Sequence, residues 1–351
     1  MKNPVVLLLL TTLMILSGCK NSSAPQFDSA QITESPVEED HINDTEIPAV
    51  PTDSSSISPN ITYGIASDED RLLNSEIRVI CYGTSMVYGT GGGGVTMSDV
   101  IKRISGADAI NYGGYAENTN CIAARSGANK LTLTSDVTIP PDETPVEIYF
   151  ESEFGQVDLL LINTDSGLNP VKIGDITGKL TREDDHFYFT RLEPGDEEHV
   201  SASDIIIPYS VSRMQNTDII VIWASGNDYI QNSEETNLLI EKMDKMIAFN
   251  GNDKYIIISK TNKGDDIPET DEINKSLKEH YGNHFIDLRE YLMSQASSDL
   301  GYPLDEDDMI DISEGLVPRC FRADNEHGNS LYYFVAGQQV YKKCQELGYL
   351  K

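Results

Sequence analysis

The residues able to do covalent chemistry stand in four short blocks. Gly83-Thr84-Ser85 closes the apolar run Val79 to Tyr82, so a hydroxyl sits where a buried strand must turn. Asp324-Asn325-Glu326-His327 places a carboxylate and an imidazole three residues apart, just before a helical stretch. Between them lie Asn111 with the loop to Thr119, and Ser225-Gly226-Asn227-Asp228. A serine hydroxyl is a weak nucleophile until a neighbouring base accepts its proton, and that imidazole needs a carboxylate to fix its tautomer. Ser85, His327 and Asp324 are therefore candidate nucleophile, base and orienting acid. A strand-end serine is equally a turn or cap residue, and Asp324 with His327 could simply cap the last helix. The chemistry depends on whether the fold brings the blocks together.

The elements that must do so are legible as period. Asp218 to Trp223, Tyr255 to Ser259 and His284 to Asp287 run apolar at strand length, and Ala109 to Tyr112 reads as a further short strand. Helical spacing appears at 98–105, 234–249, 269–280 and 330–347. Strand–helix alternation predicts an α/β fold, a parallel sheet with helices on both faces, whose ligands bind at the carboxyl ends of the strands. From about 131 to 208 the character changes. Leu131 to Thr134, Val146 to Phe150, Val157 to Ile162 and His186 to Thr190 read as strands, punctuated by Gly, Pro, Asn and Asp. This predicts an all-β, sandwich-like insert over 129–208, dividing an α/β domain into 76–128 and 209–351.

The first residues read as an export signal. Lys2 precedes an apolar stretch, Val5 to Leu16, too short to span a bilayer comfortably. Leu16-Ser17-Gly18-Cys19 resembles a bacterial lipobox, which implies lipidation at Cys19, removal of 1–18 and anchorage to the outer face of a bacterial membrane. Residues 19–75 are rich in Ser, Pro, Thr and acids without period, and read as a disordered acidic tether. The formal net charge of −31 repels phosphate backbones and argues against a nucleic-acid partner.

Other groups carry less. Beyond Cys19 there are Cys81, Cys121, Cys320 and Cys344, of which Cys320 and Cys344 are the pair to consider for a disulfide. None has metal-ligand spacing to a histidine, so neither a metal nor another cofactor is expected. The run from Gly89 to Gly94 fits G-x-G-x-x-G, but the strand ends too early and no strand-end acid follows. A flexible lip beside the site is the expected role. Asp305 to Asp308 reads as a solvated acidic loop rather than a calcium site. Arg125 could steer a sugar or an anionic acyl group, or form a surface salt bridge.

With these four blocks in order, the chain resembles the SGNH (GDSL-type) hydrolase superfamily over about 76–128 and 209–351. The resemblance implies a three-layer α/β/α, flavodoxin-like domain, with Ser85 as nucleophile, His327 as general base and acid, and Asp324 orienting the imidazole. It implies an oxyanion hole from the Ser85 and Ala116 backbone N–H groups and the Asn227 amide. Ala116 stands where the family has glycine, so Gly114 is a substitute donor. Thr84 and Ser225 also depart from the family's residues. The expected activity is esterase chemistry through an acyl-enzyme, acting on an O-acylated glycan or a small ester. Transfer of the acyl group to a sugar hydroxyl, and a binding-only lipoprotein with a crippled oxyanion hole, are the alternatives.

Overall fold

Five strands with apolar residues on both faces form the parallel sheet, as burial on two sides requires. The computed structural model describes residues 65–162, 164–261 and 267–351. In spatial order the strands are Phe285–Ile286, Tyr255–Ile258, Ile219–Trp223, Arg78–Gly83 and Asp108–Gly113, every neighbouring pair parallel. Arg78–Gly83 comes first in the chain, and its two neighbours are reached in opposite directions. Its carboxyl end is thus the point where strand order reverses, the ligand crevice of open α/β sheets.

Alternate side chains of the central strands feed two cores. Val79, Cys81, Val221 and Trp223 pack with helices Met97–Ser105 and Ser330–Glu346 on one face. Ile80, Tyr82, Ile220 and Ile222 pack with Thr119–Arg125, Ser233–Asn250 and Ile267–Tyr281 on the other. The architecture is a three-layer α/β/α domain. Trp223 anchors it: the buried ring stacks on Tyr332 at 5.8 Å and its indole N–H donates to the Ser259 carbonyl oxygen at 3.1 Å.

The insert runs from strand Leu131–Leu133 to strand Ile205–Ile207, with its own apolar core. It is not a sandwich of two facing sheets. Seven short strands make one antiparallel sheet whose edge strands, Val146–Ile148 and Phe150–Ser152, are separated only by Tyr149. A sheet whose two edges are consecutive in the chain must curl until they nearly meet, so the insert is an almost closed sheet that leaves little free edge. A two-stranded ribbon, Val137–Ile139 with Glu198–Val200, sits beside it. Val157 to Ile162 is turn and loop rather than strand. Its buried Leu159 and Leu160 dock into the core without pairing, Leu160 in the left-handed region at φ 59°.

Three further expectations change. The tether does not reach 75: Ser67 N-caps a helix, Asp68–Asn74, accepting the Asp70 N–H, with acids in the first turn where the helix dipole favours them. Asn74, fully buried, donates to the Ser105 and Lys351 carbonyl oxygens and accepts the Lys351 N–H. The lipobox, Cys19 and the tether up to residue 64 lie outside the described residues. Cys81, Cys121, Cys320 and Cys344 are all free thiols. Cys344 lies fully buried in the core and is not bonded to Cys320, and burial pushes its thiol up to about 12. Asp305 to Asp308 begins a helix, Glu306–Ser313, with Asp305 and Asp308 forming its capping box.

Candidate active site

Ser85 is the first residue of a single helical turn, Ser85–Tyr88, that leaves the central strand abruptly. Gly83 permits the exit, since a Cβ there would stand 2.3 Å from the Trp223 carbonyl oxygen. Thr84 caps the turn by accepting the Met86 N–H, so the residue that departs from the family pattern has a defined structural task. Ser85 itself is 8% exposed, close to solvent but held.

The imidazole arrives from the far end of the chain. His327 Nε2 lies 3.0 Å from Ser85 Oγ, and Nδ1 lies 2.9 Å from Asp324 Oδ2. Asp324 Oδ1 also accepts the Glu326 and His327 backbone N–H groups, each at 2.7 Å. Partial burial pulls the Asp324 carboxyl upward, but the hydrogen bonds from the His327 ring and the two N–H groups hold it below the ordinary carboxylate value. An ionised Asp324 accepts a hydrogen bond from Nδ1–H, leaving Nε2 with its lone pair toward the serine hydroxyl. The cap of the last helix is Asn329, which accepts the Leu331 and Tyr332 N–H groups, so Asp324 and His327 are not spent on capping.

Two loops complete the crevice. The loop Gly113 to Thr119 leans over the imidazole, with the Tyr115 ring stacked on His327 at 6.2 Å and Tyr88 edge-on to Tyr115. Ala116 adopts φ 60° and Ser225 φ 71°. Both stand where the family resemblance implies glycine, and both hold the left-handed conformation a glycine would adopt. Among the described residues neither the Ser85 nor the Ala116 N–H has a partner, as oxyanion donors require. Gly114 is not the substitute donor: its N–H donates to the Gly83 carbonyl oxygen at 2.8 Å. It must be small for another reason, since a Cβ would fall 2.3 Å from the Glu117 carboxylate.

Asn227 donates its side-chain amide to the Glu117 main-chain oxygen at 3.0 Å, which leaves its second amide hydrogen for a ligand. Next to it Asp228 accepts the Thr119 N–H and hydroxyl at 3.0 and 2.6 Å, while Thr119 Oγ1 accepts the Ser225 N–H at 3.1 Å. Gly226 packs against the Thr84 side chain. All four sequence blocks therefore meet at one sheet edge.

Several supporting residues escaped the sequence reading. Arg125 is neither at the surface nor aimed at a ligand; it is fully buried in a two-pronged pair with Glu117. Asp311 accepts hydrogen bonds from Arg319 and Arg322, and Asp308 accepts the Cys320 N–H, so the acidic helix holds the segment leading into Asp324. An acid-rich run followed within 20 residues by Arg319 and Arg322 was the available signal. The glycine run does border the site, but Gly91 is wedged against Ala323, Gly328 and His327, and Tyr333 donates to the Thr90 carbonyl oxygen at 2.6 Å. His186, His199, His280 and His284 pair instead with Glu147, Asp136, Asp244 and the Tyr255 carbonyl oxygen.

No protein-family model, curated protein or solved structure matches the chain.

Proposed function

We propose that this chain is a lipid-anchored, extracytoplasmic serine esterase of the SGNH type that removes O-acyl groups, acetyl above all, from carbohydrate. The observation that carries the reading is the unbroken relay Ser85 Oγ–His327–Asp324, with contacts of 3.0 and 2.9 Å, at the strand-order switch point. His327 Nε2 takes the Ser85 proton as Oγ attacks the ester carbonyl carbon. The tetrahedral oxyanion is held by the Ser85 and Ala116 N–H groups and the Asn227 amide. Collapse breaks the bond to the sugar oxygen, which leaves with the proton from His327. Water, deprotonated by the same nitrogen, then releases the carboxylic acid and returns the proton to Ser85. Asp324 stays ionised throughout and stabilises the imidazolium.

The free N–H at the glycine-like Ala116 supports a catalytic over a binding-only reading. Tyr88 and Tyr229, 49% and 79% exposed, offer flat apolar faces with polar tips near the nucleophile turn and the Asn227 loop, a fit for sugar rings. The strong negative charge disfavours an anionic acyl group or polymer. Membrane anchorage rests on the lipobox-like residues ending at Cys19. The test is acetate release from a set of O-acetylated glycans by the full-length protein and its Ser85→Ala variant. Release by the first alone is expected. Cleavage of small acetate esters with no release from any glycan would overturn the carbohydrate substrate.

A further inference from the structure

We infer that the β insert is a buttress for the oxyanion loop, acting through the buried Glu117–Arg125 pair, and that both residues are positioning residues for the reaction. This rests on the esterase reading of the site. Ala116 must present its N–H from a left-handed backbone that an alanine does not hold without support. The next residue supplies the support at several points. The Glu117 main-chain oxygen takes the Asn227 amide, and its carboxylate takes both prongs of Arg125 and the Leu160 N–H, the last at 3.4 Å.

Leu160 belongs to the insert, and so do the carbonyl groups that Arg125 holds. Arg125 donates to the Thr164 and Ser166 carbonyl oxygens, both at 2.6 Å, and Ser166 Oγ donates to the Asn111 carbonyl oxygen at 2.8 Å. Glu117 and Arg125 side chains are both 0% exposed. A charge pair taken wholly out of water is a poor way to gain stability compared with apolar packing. Its distinctive property is direction: a fork of five donors fixes one carboxylate against two carbonyls of a separate module. Gly114 leaves the space for that carboxylate, and Leu160 accepts φ 59° to bring its N–H to it. Two left-handed residues without glycine's freedom thus flank one carboxylate, one in the oxyanion loop and one in the insert. The insert therefore sets the loop that carries the oxyanion donor, and the catalytic domain is incomplete without it.

The test uses the full-length protein with a small activated acetate ester, measuring kcat and KM separately for wild type, Glu117→Gln, Arg125→Lys and Ser166→Ala. Far-UV circular dichroism reports the fold. Displacing a transition-state donor lowers kcat and spares KM. The expected result is a kcat loss of about tenfold or more in Glu117→Gln and Arg125→Lys, and a smaller loss in Ser166→Ala, with KM within about twofold. Ser166→Ala removes a single hydrogen bond, so it decides the matter if the ion-pair variants do not fold. Folded variants with wild-type kcat would overturn the buttress while leaving the esterase intact. A wild-type protein that neither cleaves the ester nor reacts at Ser85 with a fluorophosphonate would overturn the site reading and this inference with it.

Discussion

The Glu117 main-chain oxygen accepts the Asn227 side-chain amide at 3.0 Å, tying the loop after the Asp108–Gly113 strand to the loop after the Ile219–Trp223 strand. One amide hydrogen of Asn227 thereby holds the neighbouring loop, and the other is left for the oxyanion of the proposed reaction. Asn227→Ala should lower kcat by 10²- to 10³-fold, about 2.7–4 kcal/mol of barrier. Steady-state kinetics on an activated ester checks it; an unchanged kcat would remove Asn227 from the oxyanion hole.

Ala116 at φ 60° is strained where glycine would not be. Ala116→Gly should raise the unfolding free energy by up to about 1 kcal/mol, the relief of the left-handed backbone being partly offset by the greater freedom of glycine in the unfolded chain. Denaturant titration of the two proteins measures this. A loss of stability would mean that the Ala116 methyl makes contacts that outweigh the backbone cost.

Asp324 is held below the ordinary carboxylate value, so the sign of its pH dependence is fixed. A depressed carboxyl contributes stability at pH above its unfolded value, and the contribution is lost as pH falls through the folded value. Asp324→Asn should therefore differ most in melting temperature from wild type near neutrality and converge with it in acid. The same change should lower kcat about 10⁴-fold by favouring the wrong imidazole tautomer. Melting curves across pH and steady-state kinetics of the two proteins check both outcomes; a melting-temperature difference that does not shrink in acid would contradict the first.

Asn74 clamps the helix Asp68–Asn74 to both Ser105 and Lys351 from a fully buried position. Asn74→Ala strands the Lys351 N–H and two carbonyl oxygens, and should cost about 1–3 kcal/mol of stability with little effect on kcat. Chemical denaturation beside a kinetic assay separates the two effects.

The grouping of Ser85, His327 and Asp324 was readable because each member sits in a short local pattern: a glycine-flanked serine at a strand end, and an Asp-x-x-His just before a helix. The parallel sheet was readable because its strands are apolar on both faces. The insert's shape was not, because closure depends on which strands become neighbours and not on their period, and Val157 to Ile162 is apolar for docking rather than pairing. Arg125 and Glu117 are eight residues apart across a loop and a helix, and no local rule joins them. The start of the fold was within reach: Ser67 with Asp70 three residues on is an N-terminal capping pattern that the acidic composition around it obscured.

The most direct measurement is intact-mass spectrometry of wild type and Ser85→Ala after treatment with a serine-directed fluorophosphonate, beside hydrolysis of an activated acetate ester. The account predicts a single adduct on wild type that maps to Ser85, ester turnover, and neither in Ser85→Ala. A folded wild-type protein that takes no adduct and turns over no ester would contradict it, because a serine hydroxyl 3.0 Å from a carboxylate-oriented imidazole would then not be a nucleophile.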